Sequence, residues 1–160
     1  MRRKEREITD PGEIESIIRK AQVCRVAMVD GNQPYVVPVC FGYEKACPEH
    51  SRRGALYVHG ALAGRKIDVL KKNNRVCFEM DADVEIRNAE KACQFSLKYR
   101  SVIGMGKVRF LENDKEKTRA LDVIMHHYSD RDFTFSKADL DSVLVWKIEI
   151  ESLSGKKAGY

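Results

Sequence analysis

Residues 56–70 read LYVHGALAGRKIDVL. The run opens on Leu56, Tyr57 and Val58, which suit a buried strand, and breaks at a cluster of small residues from Gly60 to Gly64. A short helix then begins, and it begins with two cations, Arg65 and Lys66. A helix start already carries partial positive charge, so two cations there work against the macrodipole by a few tenths of a kcal/mol. That penalty disappears if an anion docks. Backbone N–H groups, the dipole and both cationic side chains would then point at one negative group. Gly64 would let such a ligand approach the backbone closely. A phosphate monoester, with nearly two negative charges, suits the arrangement best. From spacing alone, a hydrated helix start and a phosphate site both stay open.

Outward from this segment the chain reads mostly as strands. Asp10-Pro11-Gly12-Glu13 is a helix start, with Asp10 as cap, and Ile14, Ile17 and Ile18 mark one face of a helix to about Ala21. VCRVAMVD follows as a half-buried strand, DGNQP as a hairpin turn and YVVPVCFGY as the returning strand. Pro38 lies inside that strand, which predicts a bulge or an edge position. EKACPEHSRRG is a polar loop in which Arg52 and Arg53 are solvated. ALYVHG is the third strand and RVCFEMD the fourth, with the helix of the opening segment between them. The span 82–95 reads as polar, either loop or short helix. YRSVIGMGKVRFLE is a long strand bent at Gly104 and Gly106. A helix over NDKEKTRALDVIMHHYS precedes a last strand, SVLVWKIEIESLSG, which sets Val143, Val145, Lys147 and Glu149 against Leu144, Trp146, Ile148 and Ile150.

About six strands in hairpins and two to three helices are too helix-poor for a doubly wound sheet. They predict a mainly β protein, an antiparallel barrel with flanking helices, built as one domain over residues 1–160. The first nine residues read as a flexible, solvated arm.

Composition excludes several classes. No apolar run approaches a membrane span of about 18 residues, and the basic N-terminus lacks the apolar core of a secretory signal. The net charge of +5 is scattered among acids, and no helix-turn-helix, zinc-finger or RNA-binding signature accompanies it, so no nucleic-acid or membrane partner is expected. The five cysteines are an odd number without C-x-x-C spacing, which predicts reduced thiols in a cytoplasmic protein and no metal site. Cys24, Cys40 and Cys77 sit in apolar, strand-like runs and read as buried. The opening segment matches neither a Walker loop nor a dinucleotide fingerprint.

Several of these pieces occur in a familiar order: QPYVVPVCFGY, then ALYVHGALAGRKIDVLKKNNRVCFEMD, then YRSVIGMGKVRFLENDKEKTRAL, then a late Gly-Lys. Together, from about Asp10 to Lys157, they resemble the pyridoxamine 5′-phosphate oxidase-related flavoproteins, and within them the nitroimidazole-resistance (Nim-type) branch. The resemblance rests on His59-Gly60, Gly64-Arg65-Lys66, Asn73-Asn74 and Tyr99-x-Ser101-Val102.

The resemblance implies a split antiparallel β-barrel, a homodimer, and FMN bound at the subunit interface. It implies that Arg65 and Lys66 hold the FMN phosphate. The strand around Pro38 and Val39 would offer backbone groups beside the isoalloxazine ring. Val58, His59 and Gly60 would lie near the ring and ribityl chain. Ser101 would reach the flavin from the partner subunit, and Trp146 would close over the cofactor. The chain lacks the Arg and Lys that pyridoxamine phosphate oxidases place around the second strand, and their C-terminal Arg-rich motif. The implied activity is therefore reduction of a small electron-poor substrate, such as a nitroimidazole, rather than vitamin B6 oxidation. A non-catalytic carrier or sensor holding flavin or haem is the competing reading.

Two residues keep alternatives at this level. His59 is either a hydrogen-bond donor or general acid in catalysis or a histidine packed at a strand end. Trp146 is either the cofactor cover or an ordinary core aromatic. His126 and His127 lie on different helix faces and read as cations at a helix C-terminus, not as metal ligands.

Overall fold

A computed structural model describes residues 3–47 and 54–160; Arg52 and Arg53 lie outside the described residues. Among the described residues, eight strands and four α-helices follow in this order: β1 (Glu7–Ile8), α1 (Pro11–Lys20), β2 (Cys24–Asp30), β3 (Gln33–Val39), β4 (Gly42–Glu44), β5 (Ala55–Gly60), α2 (Arg65–Lys72), β6 (Arg75–Arg87), β7 (Ser96–Leu111), α3 (Asp114–Tyr128), α4 (Lys137–Ser142) and β8 (Leu144–Ala158). The paired strands run antiparallel in the order β3-β2-β6-β7-β8-β5-β4, and β1 joins β8. Among the described residues, no helix is long and apolar enough to cross a membrane.

Connectivity forces this sheet to curl. β3 and β4 stand at opposite ends of the strand order, yet Val39 and Gly42 are only three residues apart. Three residues span at most about 10 Å, so the two edges must come close without pairing. The result is a split barrel. The helix α3 lies over the seam, packed so tightly that a Cβ on Gly42 would sit 2.5 Å from the Val123 carbonyl oxygen. Beside it, the Phe41 N–H donates to the Tyr128 hydroxyl at 3.0 Å, and the Phe41 ring packs on His127 at 4.3 Å between centroids.

Two cores follow from this curl. Inside the barrel, Val26, Met28, Leu56, Val58, Phe78, Met80, Val102, Trp146 and Ile148 pack together, and Ile17 and Ile18 of α1 belong to the same core. On the far side of β5 and β8, Ala55, Tyr57 and Val145 pack against Leu121 and Ile124 of α3 and Leu140 of α4. The strand β5 is therefore buried on both faces, which is why it reads as a continuous apolar run.

Several expectations change. The two extra strands are the short β1 and β4. The N-terminal segment is not a free arm, because Glu7 and Ile8 pair with Lys156 and Gly155 and Ile8 is buried. The strand β6 continues through the polar span to Arg87, past a bulge between Ala82 and Glu85 where Asp83 takes φ 54°. Polarity misled there because both faces beyond the bulge are exposed in the single chain. The helix α4 also went unpredicted, although Ser136 and Asp139 form a complete capping box. Cys40 is exposed rather than buried. Pro38 does stand on an edge strand, Asp10 does cap α1 through Gly12 and Glu13, and a register shift does fall between Met105 and Gly106.

Candidate functional site

The helix α2 is held from below by Ile67, Val69 and Leu70, all buried. Its first turn is left facing outward. The N-cap residue is Gly64 at φ 136° and ψ 167°, a conformation that favours glycine, and no side chain caps the helix. The Gly64 carbonyl accepts from Ile67 and Asp68 at 2.8 and 3.2 Å, as a helix start requires. A Cβ added at Gly64 would meet nothing within 4 Å. The start of α2 is thus an uncapped, open N-terminus flanked by Arg65 and Lys66.

Lys66 folds back over the end of β5. Its Nζ stands 3.1 Å from where a Gly60 Cβ would be, so the lysine end lies close over the glycine backbone. His59 lies beside it at the exposed tip of β5, opposite Val145. The surrounding protein partly desolvates the imidazole, and the nearby Lys66 ammonium repels a proton; both hold its pKa below the ordinary 6.5. His59 is therefore neutral at neutral pH and can donate or accept one hydrogen bond.

Arg65 is not merely hydrated. Its Nε donates to Asp30 Oδ2 at 3.0 Å, and its guanidinium carbon lies 4.5 Å from the Tyr35 ring centroid. Asp30 and Tyr35 both belong to the β2–β3 hairpin, whose two-residue turn puts Gly31 at φ 65°. Neither residue was singled out from sequence. They lie 35 and 30 positions before Arg65, and nothing local signals a contact at that range.

The remaining predicted residues fall in three places. Pro38 is exposed on the outer face of β3, opposite Arg25, and Val39 is buried opposite Cys24. The other edge of β3 pairs with no strand among the described residues, so backbone groups there face outward. Val58 is fully buried in the barrel, so its side chain faces the core, not a ligand. Ser101 is buried on β7 between Asp81 and Lys156. His59 aligns through Val145 with Leu111, ten residues beyond Ser101 on β7, on the order of 30 Å of strand. One chain does not bring Ser101 to His59.

Trp146 corrects an expectation. It is fully buried in the barrel core, opposite Val58 and Phe110, and cannot close over a surface ligand from there. Its strand is covered on both faces, so the indole follows its apolar neighbours inward. Its Nε1 has no hydrogen-bond partner among the described residues.

A second concavity lies at the other end of α2, where Leu70, Val108 and Phe110 meet the cations Lys71, Lys72 and Arg75 and the pair Asn73-Asn74. Its asparagines are engaged in structure: Asn74 Nδ2 donates to the Val108 carbonyl at 3.2 Å, and Asn73 Oδ1 accepts from the Arg75 N–H at 3.1 Å. A helix C-terminus also carries partial negative charge, so Lys71 and Lys72 in the last turn complement the macrodipole there, as cations at a helix end ordinarily do. Among the described residues no group of three His, Cys, Asp or Glu side chains could hold a metal.

Comparison with known proteins bears on the family and the fold. The sequence profile of the family described as pyridoxamine 5′-phosphate oxidase matches residues 10–157. A crystal structure described as that of a candidate 5-nitroimidazole antibiotic resistance protein from Bacteroides thetaiotaomicron is 37% identical, with 94% of this chain and 86% of that one covered and a TM-score of 0.81. The flavocytochrome Anf3 from Azotobacter vinelandii has the same TM-score of 0.81 at 19% identity, covering 100% of this chain and 72% of its own. An FAD- and haem-binding protein from Mycobacterium smegmatis is 16% identical, with 97% of this chain and 74% of that one covered and a TM-score of 0.81. The last two show the fold alone. No curated protein matches the chain in sequence.

Proposed function

The chain belongs to the pyridoxamine 5′-phosphate oxidase family, and from that premise we propose that it is an FMN-binding oxidoreductase that reduces a small electron-poor substrate, with a 5-nitroimidazole as the leading case. One observation carries the reading: the open start of α2, where the uncapped backbone at Gly64, Arg65 and Lys66 lie together. This arrangement fits a phosphate monoester. Arg65 and Lys66 would hold the phosphate through charge-assisted hydrogen bonds, with the helix N–H groups behind them. The outward edge of β3 near Pro38 and Val39 would supply backbone partners for a planar ring, and the tip of β5 from Val58 to Gly60 would border it.

When bound, the flavin would carry the electrons; the protein supplies anchorage, orientation and exclusion of water. His59, held neutral by its surroundings, would orient substrate or flavin by a hydrogen bond without adding charge. Ser101 enters this reading through a second copy of the chain, because one chain keeps it far along β7. The outer face of the sheet supports such a homodimer. It exposes Val29, Val36, Ile103 and Met105 in the single chain. We place the protein in the reducing cytoplasm, a reading supported by the free thiols of Cys24, Cys40, Cys77 and Cys93.

The likeness to a flavocytochrome and to an FAD- and haem-binding protein favours a second reading, a carrier or sensor without turnover. Absorbance separates the two. Reconstituted protein that bleaches with reductant and recovers its flavin bands on adding a nitroimidazole is an enzyme; a flavin that no acceptor reoxidises is carried. Arg65→Ala combined with Lys66→Ala tests the site itself. Loss of two charge-assisted contacts should weaken FMN binding by about 3 kcal/mol or more, read by quenching of flavin fluorescence. Unchanged affinity in that folded double variant would put the phosphate elsewhere.

A further inference from the structure

We propose that Asp30 and Tyr35 are positioning residues for the phosphate anchor: the tip of the β2–β3 hairpin sets the guanidinium of Arg65 before any ligand arrives. The inference rests on the phosphate reading of the α2 start.

The hairpin register places the two side chains together. Met28 pairs with Tyr35, and Asp30 pairs with Gln33, so Asp30 and Tyr35 follow the same face of the ribbon as buried Met28. That face turns inward toward the barrel and ends beneath the start of α2. Arg65 closes it from above, stacked on the Tyr35 ring and hydrogen-bonded to Asp30. Asp30 takes Nε alone. Among the described residues the Nη1 and Nη2 groups make no hydrogen bond, so the end of the guanidinium fork stays available to an anion. A free arginine loses much rotamer freedom when it grips a phosphate, and two contacts that hold it beforehand reduce that loss.

Asp30 also has an opposing effect, because a carboxylate near a phosphate repels it. The Arg65–Asp30 pair decides between the two by geometry. The side chains are 60% and 32% exposed, so water screens the repulsion, whereas the orientation of the fork is not screened. Positioning should therefore outweigh repulsion. The same exposure makes the pair nearly irrelevant to folding, so variants at Asp30 should fold.

Five variants of the full chain test this, with FMN and riboflavin as probes and flavin fluorescence as readout. Asp30→Ala should weaken FMN binding about tenfold and leave riboflavin, which lacks the phosphate, unchanged. Asp30→Asn, which keeps an acceptor for Nε, should restore FMN affinity to within about threefold of the parent. Tyr35→Phe should bind as the parent does, and Tyr35→Leu should lose affinity for FMN only. In an Arg65→Ala background, Asp30→Ala should have no further effect. Asp30→Ala that binds FMN as well as the parent, or better, overturns the proposal, as does an equal loss for riboflavin. If Arg65→Ala with Lys66→Ala leaves FMN affinity intact, the phosphate reading fails and this inference fails with it. If that double variant loses FMN while Asp30→Ala and Tyr35→Leu do not, only the positioning role is wrong.

Discussion

His59 and Lys66 show how single residues set the chemistry at the mouth of β5. The imidazole is pushed toward neutrality chiefly by partial desolvation and secondarily by the lysine charge. Lys66→Ala should therefore raise the His59 pKa only part of the way back toward 6.5, as NMR titration of its ring protons would show. A pKa unmoved by that substitution would mean that the ammonium lies elsewhere in solution. The sign of the linked stability follows. A histidine whose folded pKa is depressed contributes fully above its unfolded pKa, and the contribution is lost as pH falls below 6.5. The carboxylates behave differently. Lys20 and Arg100 hold Asp83 below its usual value, and Lys45 and Arg19 do the same for Glu15, so their share is lost only in more acid solution. Burial, assisted by repulsion from Glu79, pushes the Cys24 thiol up to about 12, which leaves it inert at neutral pH.

At the scale of elements, β7 and α2 carry the design. Small residues of the strand β7 let its neighbours in, and its register with β8 shifts beside them. A Cβ on Gly104 would fall 2.2 Å from Phe78 Cζ, and one on Gly106 would fall 2.5 Å from the Glu149 carbonyl oxygen. Gly104→Ala should thus destabilise the fold by about 1–3 kcal/mol, seen as a lower urea midpoint at unchanged m-value. A midpoint equal to that of the parent would show that Phe78 can move aside. The irregularity at Gly106 was readable because glycine inside a strand pattern marks a bulge or a close backbone approach, and Gly104 turns out to be the latter. The edge position of β3 was readable from Pro38 for a similar reason: proline cannot donate to a ladder. The continuation of β6 past Ala82 was missed although Val84 and Ile86 alternate with Asp83, Glu85 and Arg87 at strand spacing; from Val84 on, both sets of side chains are exposed in the single chain, and pairing with β7 holds them extended.

For the whole molecule, the unpartnered outer face of the sheet is the feature that one chain leaves incomplete. Ile103 and Met105 stand about half exposed on β7, in the same pleat register as Ser101. Replacing both with Glu should leave the monomer folded and abolish the proposed dimer, as light scattering would record. FMN binding should weaken with it if Ser101 acts across the interface. A variant that stays dimeric would move the interface to another face.

The sequence by itself determined the fold class and the cationic start of α2. Those features are written in short-range patterns: alternation, capping residues, a proline, and two charges against a helix dipole. Tertiary structure alone decided that Arg65 is gripped by Asp30 and Tyr35, that Trp146 lies in the core, and that Ser101 is far from His59 within one chain. These depend on how a seven-strand path curls until its edges nearly meet, and no local stretch of residues encodes which distant side chains that closure brings together.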